Sequence, residues 1–475
     1  MPQLLLLLLL TLPIAAATPT VPALQPGPDD VVEHDDWLHG FLDGQPLANM
    51  HVVTALHKDG TRTTLSQSSV LLKRSLLGTA VQFSVEETNL YQESAEGFLT
   101  TFQLSQEENG VRTTAVGAVM DDHVAVTVHR PTGAKATDIP LPEGVRLMGM
   151  EASQRAMAQE AMELGEHKDF HVMGLMSGQV HLMQMRATLL SRDDAGVGTY
   201  KMVLDRVPFM PMQAQVAPDG DIRELTMRFG PMNMQFLPAD GPQPLKGAEL
   251  AMVGLVKTKG PPPAAGERNR YRLPAKALAQ LPRDGFQGVV DELLVARTKA
   301  EPEALADEQQ YLKEETNLET TAPELTEWVA GILKDAPKNE VERATLLTNA
   351  VRGHLNGDLS RGEASALEAF RTQKGDCTEH ANLLTAALRI AGIPARVDVG
   401  FVYAGIFGGW GGHAWVAAYD REGGHWIHLD AAYPGVPRSC YIRTGSASNA
   451  EEGGTNAMLD RGMGLVFGET IEVVP

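Results

Sequence analysis

The sequence predicts a multidomain protein, in which an N-terminal antiparallel β-rich domain, with a half-barrel as one possible form, precedes a C-terminal α+β domain. The chain has 475 residues, more than one ordinary hydrophobic core accommodates. Between residues 37 and 236, short runs of Val, Thr, Leu and Met alternate with Gly and Asp turns such as Asp59-Gly60, which is the pattern of strands joined in hairpins. Beyond residue 310, apolar residues recur at helical spacing instead, as in Leu325, Trp328 and Ile332.

The N-terminus and the charge balance indicate an exported protein that does not bind nucleic acid. The formal net charge is -20, whereas binding to a phosphate backbone needs basic patches. The apolar run Leu4–Leu10, followed by Ala15-Ala16-Ala17, predicts a secretory signal peptide cleaved after Ala17. A membrane anchor is the alternative, but the run is shorter than the roughly 20 residues of a spanning helix, and no later stretch qualifies. We therefore expect a periplasmic or secreted protein without a stable membrane span.

Composition divides the chain into consecutive segments. The stretch before Trp37 is rich in Pro and Asp, which is typical of disorder, and the Pro261-Pro262-Pro263 run marks a linker. A helical interruption of the β domain is expected near residues 151–164, which are rich in Ala, Met and Glu. The predicted order is a signal peptide (1–17), a disordered lead-in (18–36), an antiparallel β domain (37–236), a linker (237–270), a helical connector (271–309) and a second domain (310–475).

Cys377 lies where a helix is predicted to begin. Asp376 is a favourable N-cap and Glu379, three residues later, completes a capping box, which places Cys377 in the first helical turn. Gly392 and Pro394 predict the end of this helix. At a helix N-terminus the dipole favours a thiolate, and free backbone N–H groups can receive an oxyanion. The alternative is a small buried cysteine that only packs.

Two later residues supply the partners that a thiol nucleophile needs. Residues 413–419 alternate as a strand that begins with His413, and a second strand ends in Asp430. If Asp420 pairs with His425, then His413 and Asp430 lie diagonally on one face, about 7–8 Å apart at the backbone. A slip of one residue would put them on opposite faces. With this register, Cys377, His413 and Asp430 have the chemistry of a nucleophile, its base and the group that orients the base.

The other polar residues near this set are expected to have structural roles. We expect His380 to be a polar residue of the first helical turn and His428 an ordinary strand histidine. A zinc site that includes Cys377 and His413 lacks the usual closely spaced ligand pair, so neither a metal nor a cofactor is predicted. The glycine-rich stretch 408–412 predicts either a mobile loop that admits substrate, with Trp410 as a wall, or a plain turn.

The second cysteine is expected to be inert. The chain has only two cysteines, so disulfides are not expected to hold it together. A bridge requires Cα atoms within roughly 7 Å. We expect Cys440 to be buried and too far from Cys377 to meet this condition.

At these residues the sequence resembles the transglutaminase-like superfamily, the papain-fold relatives found in many bacterial exported proteins. The similarity covers about residues 310–445. It rests on Lys374-Gly375-Asp376-Cys377-Thr378-Glu379-His380-Ala381, Ala391-Gly392-Ile393-Pro394-Ala395-Arg396-Val397, Gly412-His413-Ala414-Trp415-Val416 and Trp426…Leu429-Asp430.

The resemblance implies a papain-like α+β fold and a cysteine-dependent enzyme that acts on an amide or peptide bond of a protein or peptide. Peptidases, deamidases, acyl transferases and inactive members all occur in the family. It implies Cys377 as nucleophile, His413 as base and Asp430 as orienter. The upstream Trp or Gln that serves as side-chain oxyanion donor in better-known branches is not found, since Gln373 has a different spacing from Cys377.

Methionines are concentrated in the predicted β domain. Fourteen of the 20 fall between Met148 and Met234, several at alternate positions such as Met183 and Met185, so that each pair points to one face of a strand. Three interpretations are open: a flexible apolar core, a hydrophobic cavity for a lipid or peptide, or a Cu(I) site of thioether ligands. The second supports an alternative function, a non-catalytic periplasmic protein that binds an apolar ligand in the β domain and uses the papain-like domain as a scaffold.

Overall fold

The computed structural model describes residues 26–27, 29–76, 79–108, 110–159, 162–176, 178–206, 210–229, 232–250, 255–358, 364–405, 408–446 and 470–475. The predicted signal peptide over residues 1–17 lies outside the described residues. Two large sheets follow one another along the chain, the first mostly before residue 250 and the second after it. An antiparallel β-rich N-terminal region followed by an α+β region confirms the predicted multidomain fold class.

The first sheet is a long antiparallel meander. Its order is β8-β7-β6-β5-β4-β3-β2-β1-β14-β13-β12-β11-β10-β9, with β15 added parallel to β3. The strands are β1 Val31–Leu42, β2 Gln45–Leu56, β3 Arg62–Leu76, β4 Thr79–Glu93, β5 Leu99–Glu108, β6 Val111–Val119, β7 His123–Arg130, β8 Gly133–Pro140, β9 His167–Met176, β10 Gln179–Arg192, β11 Gly198–Leu204, β12 Met212–Val216, β13 Ile222–Phe229, β14 Met232–Ala239 and β15 Ala248–Leu250.

This sheet curls so that its two arms face each other. Strands β5 and β9, which lie far apart in the sheet order, are in contact, and so are β7 and β10. Phe102 of one arm and Met173 of the other are buried in the same apolar cluster. A helix, α1 (Met150–Gln159), connects the arms between β8 and β9, where the sequence predicted a helical interruption. The curl therefore encloses an inner face on which apolar side chains from both arms can pack.

The methionines follow the strand alternation that was predicted. On β10, Met183 and Met185 are buried at 7% and 1% exposure, whereas Gln184 and Arg186 between and beyond them are less buried. Met185 belongs to an apolar cluster that also includes Met157 and Met202. Several of the methionines thus lie in the apolar interior of the curled sheet, where thioethers can fill irregular space.

The second sheet carries the helices of the C-terminal region. Its order is β18-β19-β17-β26-β16-β23-β22-β25, with β24 paired to β23. Its strands are β16 Leu255–Lys259, β17 Arg268–Arg272, β18 Gln287–Val290, β19 Leu293–Arg297, β22 Ala395–Ala404, β23 Gly409–Asp420, β24 His425–Leu429, β25 Tyr441–Ser446 and β26 Thr470–Val474, and a separate short pair joins β20 Asn356–Gly357 to β21 Lys374–Gly375. The helices are α2 Ala275–Gln280, α3 Pro323–Leu333, α4 Glu340–His354, α5 Ala366–Thr372 and α6 Cys377–Ile390.

The core of this region lies between α6 and the central strands. Leu384 and Leu388 of α6 are fully buried against Val397 of β22 and Val416 of β23. Gly392 takes a φ of 76° after the end of α6, so the predicted helix stop is confirmed. Within the described residues, no helix combines the length and the apolar character that crossing a membrane requires. The packing fixes α6 to the sheet and so sets the position of Cys377.

Three predicted segment assignments are wrong. Residues 237–270 were expected to form a linker, yet β15 pairs with β3 of the first sheet, and β16 and β17 belong to the second sheet. The lead-in was expected to be disordered to residue 36, but β1 begins at Val31 and pairs with β2. Residues 271–309 were expected to form a helical connector, yet they contain only one short α-helix, and β18 and β19 form a hairpin of the second sheet. The turn of this hairpin is Asp291-Glu292, both at positive φ. Because Asp-Glu lacks the Gly or Asn typical of such turns, the sequence favoured a helix there.

Candidate active site

Cys377 begins α6, and its position is set by the capping box that the sequence predicted. The Thr378 N–H donates to Asp376 Oδ1 over 2.8 Å, and the Asp376 N–H donates to Glu379 Oε2 over 2.8 Å. The thiol is half-buried. Its sulfur therefore lies at the N-terminus of a helix, where the unpaired N–H groups and the helix dipole favour negative charge.

Glu379 holds the start of this helix through hydrogen bonds to the preceding chain. Its Oε1 accepts the Ala364 N–H over 2.9 Å, and the residue is only 2% exposed. Burial, followed by the neighbouring Asp376 carboxylate, raises the pKa of Glu379 well above its usual range. A Cβ placed on Gly375 would come within 2.2 Å of the Glu379 Cβ. The chain thus reaches Cys377 through a tight, glycine-dependent contact.

The structure brings His413 and Asp430 into hydrogen-bond contact. Asp420 is paired with His425, so the predicted strand register is confirmed. The ladder between β23 and β24 ends at the pair Val416 and Leu429, and Asp430 follows at once. His413 Nε2 and Asp430 Oδ2 lie 2.7 Å apart, and both side chains are buried.

Cys377 completes this arrangement through a side-chain hydrogen bond to His413. Because Nε2 faces Asp430, Nδ1 is the ring nitrogen left for the thiol. The predicted residues Cys377, His413 and Asp430 are therefore in one place, brought there by one helix and two strands. Their order of contact is the one that a nucleophile, a base and an orienting carboxylate require.

Electrostatics favour charge on both His413 and Asp430. Burial by itself lowers the pKa of His413, but the Asp430 carboxylate and the Cys377 thiol outweigh it and raise the pKa to about 10. Burial likewise raises the pKa of Asp430, but His413 and the Tyr433 N–H outweigh it and hold that pKa below its usual value. An imidazolium–carboxylate pair is the result at neutral pH.

Three further donors hold the Asp430 carboxylate, and the sequence analysis missed them. The Tyr441 hydroxyl donates to Oδ2 over 2.8 Å, the same oxygen that His413 contacts. The backbone N–H groups of Ala432 and Tyr433 donate to Oδ1 over 2.9 and 2.8 Å. Tyr441 lies on β25, which reaches the site only by pairing with β22. No local motif points to it, so only the sheet order reveals its role in holding Asp430.

The two neighbouring histidines are placed as expected. His380 Nδ1 lies 2.6 Å from the Asp376 carbonyl oxygen in the first turn of α6, and burial lowers its pKa. The His428 ring packs 4.6 Å from the Tyr441 ring, and burial lowers the pKa of His428 to about 3. Both are thus neutral at pH 7, which leaves His413 as the charged imidazole of the site.

Trp410 does not form the wall of a substrate cleft, and the prediction of a mobile glycine loop is wrong. Gly409 to Gly412 belong to β23 and pair with β22, and part of this stretch also pairs with β16. The Trp410 side chain is fully buried, with its ring 4.9 Å from the Tyr271 ring. The glycines allow strand pairing at close range, and this second pairing partner could not be foreseen from the local sequence.

Cys440 is a buried free thiol, as predicted. Both cysteines are free, and Cys440 is buried beside Asn269 and Ala264. Burial raises the pKa of the Cys440 thiol. It therefore has neither the charge partner nor the exposure of a reactive thiol.

Among the described residues, one cluster has the donors and spacing to hold a metal ion, and it lies in the β-rich region. The Nδ1 of His34 is 3.5 Å from Asp36 Oδ2 and 3.4 Å from Asp221 Oδ1. Arg223 lies 3.8 Å from Asp221 and would compete with a cation for that carboxylate. This cluster is separate from Cys377, and the sequence analysis did not identify it because His34 and Asp221 are far apart in the chain.

Residues 326–431 match the family model of the transglutaminase-like superfamily, so the C-terminal region contains a transglutaminase-like domain. The matched range includes Cys377, His413 and Asp430. The resemblance inferred from the sequence is therefore confirmed, as is a fold of the thiol-enzyme type. No curated protein matches the chain.

Several solved structures are similar to parts of the chain. A proposed cysteine protease from Cytophaga hutchinsonii is 14% identical, with 42% of this chain and 80% of that chain covered and a TM-score of 0.29. A proposed protease from Parabacteroides distasonis is 12% identical, with 80% and 71% covered and a TM-score of 0.23. A beta-barrel-like protein of a domain of unknown function from Brucella abortus is 8% identical, with 44% and 98% covered and a TM-score of 0.30. None of these similarities is close enough to indicate a substrate.

Proposed function

We propose that this protein is a cysteine-dependent enzyme that hydrolyses an amide or peptide bond, or transfers its acyl group, with Cys377 as nucleophile. The observation that carries the proposal is the continuous contact from Cys377 through His413 to Asp430 at the N-terminus of α6. A cysteine that only packs has no need of a charged histidine held by a carboxylate with three other donors.

In the first half of the proposed reaction, the Cys377 sulfur attacks the substrate carbonyl carbon as a thiolate, the reactive form of a thiol nucleophile, beside the protonated His413. The S–C bond forms and the carbonyl π electrons move to oxygen. This oxyanion lies against the Cys377 N–H at the helix start, where the dipole stabilises it. His413 then gives its proton to the amide nitrogen, the C–N bond breaks and an amine leaves.

In the second half, a water molecule or an amine resolves the acyl-enzyme. The neutral His413 takes a proton from the attacking group as its new bond to the carbonyl carbon forms. The C–S bond then breaks and the sulfur leaves as thiolate, which restores the ion pair. Water gives a carboxylic acid and an amine gives a new amide, so hydrolysis and acyl transfer share every step except the identity of the acceptor.

The substrate class in this proposal is a protein or peptide, and the place of action is outside the cytoplasm. The N-terminal apolar run and Ala15-Ala16-Ala17 support export. The expected mature protein in a periplasmic or secreted fraction begins at Thr18, which N-terminal sequencing detects. Recovery of the protein with Met1 intact from the cytoplasm would contradict this part of the proposal.

A second candidate function is ligand binding by the β-rich region. It is favoured by a cavity of about 320 Å³ lined by strands of the first sheet. Such a function does not depend on the thiol, so the protein can have both.

The proposed chemistry is tested by thiol reactivity together with product analysis. Alkylation of the full chain by iodoacetamide at pH 6 should label Cys377 much faster than Cys440, which serves as an internal control. His413→Ala should slow the labelling of Cys377 and leave the labelling of Cys440 unchanged. Exposure of a protein extract to wild type and to Cys377→Ala, followed by mass spectrometry for new N-termini, deamidation and cross-links, then identifies the reaction. Slow labelling of Cys377 with no product that depends on it would refute the enzyme proposal.

A further inference from the structure

The cavity in the β-rich region lies between the two arms of the curled sheet. It is about 320 Å³ in volume, comparable with small-molecule sites, which span roughly 300–1,000 Å³. Strands β1 to β4 form one side and β10 to β13 the other. Ser153 and Gln154 of α1 also line it. The cavity is thus a built feature of the fold, bounded by several elements that are distant in sequence.

One wall of this cavity is polar, although it belongs to the inner face of a sheet. Ser66 of β3 is paired with Asn89 of β4, and Ser68 is paired with Glu87. All four side chains line the cavity. Cross-strand pairs on one face are close neighbours, so these residues form a single patch of hydrogen-bonding groups. Polar groups on an inner face are stabilised by hydrogen-bond partners, and the polar groups of a bound guest can also serve as such partners.

The opposite wall is apolar and adaptable. Met185, Met202, Met212 and Leu225, on four successive strands of the other arm, face the cavity. Thioether side chains are flexible and polarisable, and they suit an apolar guest of irregular shape. The two walls together match a molecule with an apolar body and a polar head.

Charge in the cavity indicates which kind of head fits. Glu87 is bonded to two neutral side chains, Gln106 over 3.2 Å and Ser68. The other lining carboxyls, Asp36 and Asp221, are near the His34 imidazole instead. The lining cation Arg223 lies 3.8 Å from Asp221. Burial raises the pKa of Glu87, so a cationic partner would stabilise its carboxylate form. A ligand ammonium group would supply the charge that the neutral neighbours of Glu87 do not.

We propose that this cavity binds a small amphipathic amine, whose ammonium group contacts Glu87 and the Ser68–Asn89 patch while its hydrocarbon body packs on the thioether wall. The inference does not rest on the proposed thiol chemistry, since no residue of the cavity belongs to the transglutaminase-like domain. The contact between the ammonium group and Glu87 distinguishes this site from a purely apolar pocket. Such a pocket would bind hydrocarbon guests regardless of their head group.

The test uses three probes with one chain length and different heads: n-octylamine, 1-octanol and octanoate. Isothermal titration calorimetry is carried out on the full mature chain with Cys377→Ala, so that an amine cannot enter an acyl-transfer reaction. We expect octylamine to bind at least tenfold more tightly than octanoate. Glu87→Gln should weaken octylamine about tenfold and change octanol less than twofold, because only the ammonium group uses the carboxylate charge.

The matched control is Glu86→Gln. Glu86 is exposed on the same strand and does not line the cavity, so this variant removes the same charge from the other face. It separates a specific contact from the general attraction of a chain with net charge -20 for cations. Thermal unfolding of both variants verifies that each is folded. Equal losses in the two variants, equal binding of octylamine and octanoate, or no binding by the folded protein would overturn the proposal.

Discussion

The two regions of this molecule bury polar groups in different ways. In the transglutaminase-like domain, the Asp430 carboxylate is surrounded by fixed protein donors, including His413 and Tyr441. In the β-rich region, Glu87 and its polar neighbours line a cavity instead. Fixed donors hold a group in one geometry and charge state, as catalysis requires. Groups that face a cavity leave part of their bonding capacity to a guest. The contrast separates the site proposed for chemistry from the site proposed for binding.

The largest effect on turnover is expected when the proposed nucleophile or its histidine partner is removed. Cys377→Ala and His413→Ala are each expected to lower turnover by roughly 10⁴-fold or more, because the two residues act as a unit. Asp430→Ala should leave more residual activity, since an orienting group is partly replaceable. Initial rates on the substrate identified by mass spectrometry measure all three. Undiminished turnover by Cys377→Ala would show that the contact has another purpose.

Asp430→Asn keeps the shape of the orienting group and removes its charge. Burial then becomes the main influence on His413, so its pKa should fall from about 10 to near or below the ordinary 6.5. Turnover should fall on the order of 10³- to 10⁴-fold. NMR titration of the His413 ring in both proteins measures the first effect, and a His413 pKa that stays near 10 would contradict the assigned cause.

The pair of His413 and Asp430 should stabilise the fold only within a limited range of pH, and Asp430→Asn tests this. Because folding raises the pKa of His413, its contribution is complete below pH 6.5 and disappears as the pH rises to about 10. Because folding lowers the pKa of Asp430, its contribution is complete above pH 3.8 and is lost as the pH falls further. The free energy of unfolding of wild type and Asp430→Asn should therefore differ most between pH 3.8 and pH 6.5. Urea titrations at several pH values would show this difference.

Gly375→Ala tests the tight approach to Cys377. The added Cβ would lie 2.2 Å from the Glu379 Cβ, so the start of α6 must shift. We expect a loss of about 1–3 kcal/mol in stability, typical of overpacking. Gly357→Ala is the matched control, because Gly357 pairs with Gly375 and its added Cβ meets nothing within 4 Å. Similar urea midpoints for both variants would show that the helix start tolerates the shift.

Tyr441→Phe should have a smaller effect. It removes the hydroxyl donor to Asp430 and keeps the ring packing. We expect a loss of about 0.5–1.5 kcal/mol in stability and a several-fold lower kcat. Tyr271→Phe, which removes a buried hydroxyl bonded to the Ser439 carbonyl oxygen, controls for the general cost of such a change. If the two variants have the same kcat, the Tyr441 hydroxyl does not position Asp430.

The smallest effect is expected in the first sheet. Replacement of Met183 and Met185 together by Leu conserves volume and should cost less than about 1.5 kcal/mol per site. Thermal unfolding measures this. A competition titration with Cu(I) on the same proteins addresses the alternative interpretation of the methionines, and loss of tight copper binding in the double variant would establish it.

Most of the correct predictions of helix ends and strand pairing came from patterns among neighbouring residues. The capping box at Asp376 and Glu379, the helix stop at Gly392 and the pairing of Asp420 with His425 are all encoded by neighbouring residues, and all three are confirmed. The prediction for residues 271–309 was wrong because it relied on local pattern alone. Strands β18 and β19 form a hairpin there through pairing within the second sheet.

The sequence by itself determined the division into a β-rich and an α+β region, the alternation of the methionines and the identity of Cys377, His413 and Asp430 as a candidate set. Hydrogen bonds, caps and side-chain periodicity act over a few residues, so a linear pattern contains them. Only the tertiary structure decided that Tyr441 holds Asp430, that Trp410 is buried in a core, and that a polar patch faces thioethers across a cavity. These depend on which strands become neighbours and how the sheet curls, because such contacts join residues that no local interaction brings together.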